Sequence, residues 1–354
     1  MIYSIDLGNS TIKWAKKTKD KKNNTYNLIP SYVGNIQEYD VESLGIGYND
    51  DSSAIFKYIS GPRKDLKNTY WISGYLAKDM RISPLFLKDK HEYSLQGVLS
   101  VLCCDYNLIN DINKNFSLEI IYSIPDHRKI IKSPQEYKIT DFIKKELIGT
   151  HRIEIILGPS VINSNNKVIV SINIKEVKVV PEGYGGYIHC VNEGLVNTNS
   201  KAKTLLVDVG TRTCILTPFS ERGIPIMNDR IMRRGVQELV SFIREGKCLR
   251  EADIFISPDE GAILEGIENN SFIYENTGIS FKKDYLLYCE KWCSLVKTDI
   301  RTITKQCGNV NELLFIGGGA SLFNELSKIT KRIKVCPNAR FANVLGMLET
   351  KISF

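Results

Sequence analysis

The stretch Ile5-Asp6-Leu7-Gly8-Asn9-Ser10-Thr11-Ile12-Lys13 decides the reading of this chain, because its pattern returns as Leu206-Val207-Asp208-Val209-Gly210-Thr211-Arg212-Thr213. Each copy is an apolar strand ending in Asp-x-Gly and followed by small hydroxyl side chains. Such a turn presents backbone N–H groups and hydroxyls to an anion, and the Asp can hold a hydrated cation beside it. Asp-x-Gly turns are common, and an Asp or Asn in a hairpin often does no more than stabilise the turn. Repetition makes the pattern informative, since an internal duplication predicts two similar half-molecules. A third apolar run, Leu313 to Ile316, leads into the triplet Gly317-Gly318-Gly319. With no Cβ in the way, that backbone can approach a base and ribose closely. The segment after it reads as a helix whose N-terminus favours an anion. Two turns and a glycine triplet predict two halves closing on one nucleotide.

Working outward, 354 residues exceed one simple core and suggest two domains. Hydrophobic content of 43% and charged content of 25% are those of a soluble globular protein. A net charge of +7 is modest for this length and reads as a Lys-rich solvated surface. No stretch approaches the ~20 apolar residues of a membrane span. The opening Ile2-Tyr3-Ser4-Ile5 reads as a strand rather than a leader, so a cytoplasmic protein with no membrane partner is expected. The nine cysteines are scattered without a Cys-x-x-Cys pair. His91, His127, His151 and His189 are not spaced as zinc partners, which favours buried reduced thiols over metal.

Strands are expected at Met1 to Leu7, Thr11 to Lys16, Pro30 to Asn35, Tyr70 to Ile72 and Leu118 to Ile124. More are expected at Ile153 to Leu157, Lys167 to Ile174, Val177 to Val180, Thr204 to Val209 and Thr213 to Pro218. Val236, Leu239, Val240 and Ile243 fall at helical spacing. Cys289, Cys293, Val296, Ile300, Ile303 and Cys307 extend the same pattern over a longer segment. Ser321, Leu322, Leu326, Ile329 and Ile333 read as one helix after the glycine triplet, with Lys328, Lys331, Arg332 and Lys334 gathered at its end.

The residue types at the turns point to phosphate chemistry. Asp6 fits an outer-sphere ligand of Mg²⁺, Gly8, Asn9 and Ser10 fit a phosphate turn, and Lys13 on the next strand can reach back to the phosphates. Asp208, Gly210, Thr211 and Thr213 repeat the arrangement. Glu182, between Pro181 and Gly183 at a strand end, is the candidate for orienting a hydrolytic water, since positioning is much of phosphoryl-transfer catalysis.

Asp6-Leu7-Gly8-Asn9-Ser10-x-x-Lys13, Pro181-Glu182-Gly183, Asp208-x-Gly210-x-x-Thr213 and Phe315-Ile316-Gly317-Gly318-Gly319-Ala320 together resemble the actin, Hsp70 and sugar-kinase superfamily in order and spacing. Within it the chain is most similar to ParM-type bacterial actins, the filament-forming ATPases of plasmid segregation. Pro30-Ser31-Tyr32-Val33, Gly74-x-x-Ala77, the run from Pro181 to Tyr187 and Phe341-Ala342-Asn343-x-x-Gly346 carry that narrower resemblance.

The resemblance implies an α/β fold of two domains, each a mixed five-stranded sheet flanked by helices, with a nucleotide cleft between them. Residues 1–182 with 336–354 would form the first domain and 183–335 the second. It implies ATP or GTP with Mg²⁺ as cofactors, and Asp6 and Asp208 handling the metal through water. Lys13 would contact phosphates, Glu182 would position water, and Gly317 to Gly319 would meet the adenosine. The partners it implies are further copies of the chain in a filament, a DNA-bound adaptor and, through that, plasmid centromere DNA. The second turn departs from the family pattern. Thr211 and Arg212 stand where further glycines are usual, and Arg212 either adds a charge to the phosphates or points outward.

Two other classes fit parts of the pattern. A pantothenate-kinase-like enzyme shares the Asp-x-Gly turns but is shorter, and needs a carboxylate base for which Asp126 is the candidate. A chaperone or cell-shape actin would be expected to carry a substrate-binding extension or an amphipathic anchor.

Overall fold

The computed structural model describes residues 1–17, 24–44, 54–85, 92–105, 115–124, 134–157, 168–197, 201–226, 230–232, 234–251 and 258–350. Contacts divide the chain into two units, Met1–His189 with Asn343–Phe354, and Cys190–Ala342. The sequence-drawn breaks, after 182 and 335, fall earlier than these. The physical reason is a close helix crossing within the first unit. Gly185, in the helix Tyr184–Asn192, packs directly on Asn343 and Gly346 of the helix Ala342–Glu349. The Asn343 side chain also accepts from the Gly186 N–H at 3.0 Å.

In the first unit the strands are β1 (Ile2–Leu7), β2 (Thr11–Lys16), β3 (Thr25–Pro30), β4 (Val33–Ile36), β5 (Ala54–Ser60), β6 (Tyr70–Ser73), β7 (Asn115–Ile124), β8 (Gly149–Leu157) and β9 (Val168–Pro181). They form one sheet in the order β3-β2-β1-β7-β9-β8-β5-β6-β4. β1, β7 and β9 are parallel to one another, and every other neighbouring pair is antiparallel. β1 lies in the interior, with Tyr3, Ile5 and Leu7 buried on one face and Ser4 and Asp6 buried on the other, so the strand is covered on both faces. The helix Ser94–Cys104 packs on it through Gly97, where a Cβ would lie 3.0 Å from Leu7 Cδ2. A buried ion pair fastens its end: Asp105 accepts from Lys16 Nζ and from Tyr3 OH, both at 2.7 Å.

The second unit carries β10 (Lys203–Val209), β11 (Cys214–Phe219), β12 (Arg230–Met232), the short hairpin β13 (Ile273–Tyr274) and β14 (Ile279–Ser280), then β15 (Val310–Ile316) and β16 (Ile333–Val335). Its main sheet runs β12-β11-β10-β15-β16. The first two neighbour pairs are antiparallel and the last two parallel. The run β3-β2-β1-β7-β9 has the same order of senses, so the duplicated five-stranded mixed sheet is present in both units. In the first unit four further strands extend it.

The helices of the second unit follow the sequence periodicity. Val236, Leu239, Val240 and Ile243 are buried on the helix Val236–Arg244, each burial worth about 1.5–3 kcal/mol. Cys293, Val296, Ile300, Ile303 and Cys307 form the buried seam of the helix Lys282–Cys307, joined by Trp292, while Cys289 is only partly covered. The segment after the glycine triplet is not one helix. It is a 3₁₀ turn, Ala320–Phe323, a short helix, Asn324–Ile329, and then strand β16, which contains Ile333 and Lys334. β-Branched Ile333 and Val335 pair with β15 there, and pairing overrides the helical spacing. The basic cluster is dispersed accordingly. Lys328 pairs with Glu325 at 2.6 Å, Lys334 with Glu312 at 2.7 Å, and Arg332 donates to the Val310 carbonyl.

No helix among the described residues is long and apolar enough to cross a membrane. All nine cysteines are free, and no group of three or more His, Cys, Asp or Glu among the described residues is arranged to hold a metal directly.

Candidate functional site

Parallel strands bring one set of candidate residues to a single edge of the first unit. β1 and β7 pair in register through Ile5 and Tyr122, and β7 and β9 through Ile124 and Pro181. Their C-terminal ends therefore lie side by side, where open α/β sheets bind ligands. Asp6 stands at the end of β1 and is 7% exposed. Its Oδ1 accepts a hydrogen bond from Ser123 Oγ at 2.7 Å, so a buried carboxylate is held in one orientation by the neighbouring strand. Lys13 is directly opposite Asp6 on β2, which puts the two side chains on the same face. Glu182 is the first residue past β9. Its N–H donates to the Ile124 carbonyl at 2.7 Å, and Gly183 follows in the left-handed region with φ of 82°.

The turn between β1 and β2 is closed by Ser31, whose Oγ donates to the Gly8 carbonyl at 2.7 Å and whose N–H donates to the Ser10 carbonyl at 2.9 Å. With those carbonyls tied back, Gly8, Asn9 and Ser10 form a fixed loop at the strand end. Gly8 is required there, since a Cβ would lie 2.6 Å from the Thr11 carbonyl oxygen.

The second unit repeats this construction. Leu7 pairs with Ile12 and Val209 with Cys214, so the last pair of each hairpin falls one residue before its Asp-x-Gly glycine. Gly210 occupies the place of Gly8, with its N–H donating to the Thr213 carbonyl at 2.9 Å. Thr211, Arg212 and Thr213 occupy the places of Asn9, Ser10 and Thr11, and Ile215 that of Lys13. Arg212 is exposed. The turn carbonyls are tied back differently here. Val236 N–H donates to Gly210 at 3.1 Å, Gln237 N–H to Thr211 at 2.7 Å and Gly235 N–H to Arg212 at 3.3 Å. The first N–H groups of the helix Val236–Arg244 thus satisfy the turn instead of being left open. Burial, with Asp208 and Asp299 close by, pushes the neighbouring Cys214 thiol up.

The glycine triplet joins this second group. Asp208 pairs with Ile316, and a Cβ on Gly317 would lie 2.5 Å from Asp208 Oδ1. The Gly319 N–H donates to the Val209 carbonyl at 2.9 Å, and a Cβ on Gly319 would lie 2.6 Å from Val209 Cγ1. Gly318 differs from both: a Cβ there would meet nothing within 4 Å. Two of the three glycines are demanded by packing against Asp208 and Val209, and the middle one is exposed beside them.

Asp6, Gly8, Asn9, Ser10, Lys13 and Glu182 are therefore gathered on one unit, and Asp208, Gly210, Thr211, Arg212, Thr213, Gly317, Gly318 and Gly319 on the other. Asp126, His91 and His127 lie outside the described residues. Sequence reading missed Ser123 and Ser31. Ser123 had a signal, a lone small polar side chain near the end of the run Ile120 to Ile124. Ser31 had one as well, its place in the motif Pro30-Ser31-Tyr32-Val33, though no role was assigned to it.

A fold similar to this one is found in solved structures over nearly the whole chain. The actin-like protein Alp7A is 15% identical and covers 98% of this chain and 94% of its own, with a TM-score of 0.71. The fold is the actin-like fold. A ParM from a 15-stranded filament of Clostridium botulinum matches at 18% identity, 98% and 97% coverage and a TM-score of 0.66. Bacillus thuringiensis ParM with ATP matches at 14% identity, 98% and 96% coverage and a TM-score of 0.67. No family model and no curated protein sequence matches the chain.

Proposed function

We propose that this chain is a nucleotide-dependent, filament-forming actin-like ATPase that drives segregation of plasmid DNA in the cytoplasm. The observation that carries the reading is the pair of Asp-x-Gly turns, built on equivalent strands of two duplicated sheets and each backed by its own set of hydrogen bonds. The ParM with ATP, an archaeal actin homolog in complex with ADP and the C. botulinum filament are similar to this chain in fold and support nucleotide use and self-assembly.

In this reading Asp6 and Asp208 hold hydrated Mg²⁺, the two turns and Lys13 meet the phosphates of ATP or GTP, and the exposed Gly318 faces the adenosine. Mg²⁺ would neutralise phosphate charge. Ser123 keeps the Asp6 carboxylate aligned, and Lys13 sets a positive charge opposite it. Glu182, projecting from the rigid end of β9, accepts a hydrogen bond from the attacking water and so orients it. Turnover is slow, and its output is growth and shrinkage of a homopolymer captured by a DNA-bound adaptor at the plasmid centromere.

The test is light scattering of the purified chain on addition of Mg-ATP or Mg-GTP, followed by electron microscopy of the product and assay of released phosphate. Filaments that appear with nucleotide, and persist longer in Glu182→Ala, are expected. Absence of any nucleotide-dependent assembly with either nucleotide would remove the reading.

A further inference from the structure

Of the nine cysteines, Cys104, Cys248 and Cys289 are partly exposed and the other six are buried. A thiol reacts as its thiolate, so the neighbours of these three decide which is a nucleophile. Cys104 is the last residue of the helix Ser94–Cys104, where the carbonyl end of the helix disfavours an anion, and the buried Asp105 follows it. Cys248 lies against a carboxylate. Its N–H donates to Asp284 Oδ2 at 2.7 Å, and burial together with Asp284 pushes its thiol up.

Cys289 has the opposite surroundings. It stands well inside the helix Lys282–Cys307, with Tyr285 one turn before it and Cys293 one turn after, the spacing at which helical side chains meet. Both neighbours are donors. The Tyr285 ring is anchored with its centroid 4.6 Å from that of Phe272. Cys293 is 8% exposed, and its Sγ reaches the Leu322 carbonyl only at 4.0 Å. That contact is long even for sulfur, and its hydrogen gains by turning to a thiolate at Cys289, a charged acceptor.

The Cys293 thiol holds the Cys289 thiol below its ordinary value, against burial and with the help of the Tyr285 hydroxyl. Tyr285 is itself pushed up by burial and by Cys289. Cys293 is pushed up by Cys289 and by burial, although Lys297 pulls the other way. Both neighbours therefore remain protonated donors. Access is open on one side, because Leu286, three residues before Cys289 on the same side of the helix, is 60% exposed.

We propose that Cys289 is a site of reversible thiol modification that takes up one half of a low-molecular-weight disulfide. The Cys289 thiolate attacks one sulfur of the disulfide. A new S–S bond to the protein forms as the old one breaks, and the second half leaves as a thiolate that takes up a proton. Cys289 is oxidised and the departing half is reduced. Tyr285 and Cys293 act as positioning residues that keep the attacking sulfur ionised. The proposal is independent of the nucleotide reading.

The test is mass spectrometry of the full chain during exposure to glutathione disulfide at neutral pH, with peptide mapping of the first adduct. The first glutathione is expected on Cys289, about tenfold or more faster than on Cys104 or Cys248, and Cys289→Ser should remove that adduct. Cys293→Ala and Tyr285→Phe should each slow it about threefold: about a tenfold loss of thiolate, partly offset by the greater nucleophilicity of a more basic thiol. Tyr285→Phe keeps the ring on Phe272 and deletes only the hydroxyl, so it preserves the test should Cys293→Ala loosen the core; thermal unfolding checks both. Absence of any adduct, or a first adduct on another cysteine, would overturn the proposal. So would a wild-type rate in either folded variant.

Discussion

Substituting alanine at Gly317 and at Gly318, adjacent positions of one turn, should separate folding from binding. At Gly317 the backbone has φ of 88°, where an L side chain costs about 1–2 kcal/mol. The new methyl would also lie 2.5 Å from both Asp208 Oδ1 and the Val209 carbonyl oxygen. The Asp208 carboxylate can turn aside, but the Val209 carbonyl is backbone, so relieving that contact moves the end of β10, an overpacking cost of about 1–3 kcal/mol. Gly317→Ala should therefore lose about 2–5 kcal/mol, read as a fall of roughly 5–15 °C in the second unit's melting temperature by calorimetry. At Gly318 a methyl meets nothing within 4 Å, and stability should change by less than about 0.5 kcal/mol. If Gly318 faces adenosine, the same methyl should weaken Mg-ATP binding about fivefold or more by titration calorimetry. A wild-type melting profile for Gly317→Ala would refute the packing argument. Wild-type ATP affinity for Gly318→Ala would refute the placement of adenosine against it.

Ser123→Ala removes the donor to buried Asp6 Oδ1 and should cost about 1–3 kcal/mol in urea unfolding while weakening Mg-ATP binding; an unchanged unfolding curve would mean water replaces the hydroxyl at no cost. Lys16→Met strands the carboxylate of Asp105, 3% exposed, and should cost about 3–5 kcal/mol, much of it recovered in Lys16→Met with Asp105→Leu, as a double-mutant cycle by urea unfolding will show. His151, wholly buried, hydrogen-bonds the Leu147 carbonyl through Nε2 at 2.8 Å and Tyr58 OH through Nδ1 at 3.0 Å, and burial holds its pKa below the ordinary 6.5. The unfolded chain then takes up the proton first, so stability is full above about pH 6.5 and declines as pH falls below it. His151→Gln should flatten that part of the pH–stability curve in urea titrations.

The duplicated core was legible because both of its signals are local: an apolar strand, then Asp-x-Gly. The helix Val236–Arg244 was legible for the same reason, its four apolar residues lying on one face. What failed were elements whose state depends on distant partners. Ile333 fits a helical spacing with Ile329, yet β15 offers it a strand partner in Leu313. Of the four strands that extend the first sheet, β4, β6 and β8 overlap expected strands and β5 does not, and nothing in Ala54 to Ser60 names β8 as its neighbour. The unit boundary was drawn early because the Gly185 contact with Gly346 joins residues far apart in the chain. Ser123 was overlooked for the same kind of reason, since its importance lies in Asp6, on a strand more than a hundred residues away.

The two turns also show how one backbone design can be stabilised in two chemically different ways. In both, carbonyls of the turn are satisfied by donors from a neighbouring segment. In the first unit a single residue, Ser31, does this with its hydroxyl and its N–H, leaving room for the small side chains of Asn9 and Ser10. In the second, a helix N-terminus does it, and its donors approach the turn from one side at Gly210, Thr211 and Arg212. Gly235 sits so close to Thr211 and Arg212 that no Cβ is tolerated there, which fixes the backbone of the turn whatever side chains it carries. Neither Thr211 nor Arg212 has a positive φ, so this turn requires glycine at neither position. Arg212 therefore sets an exposed guanidinium beside the proposed phosphate turn.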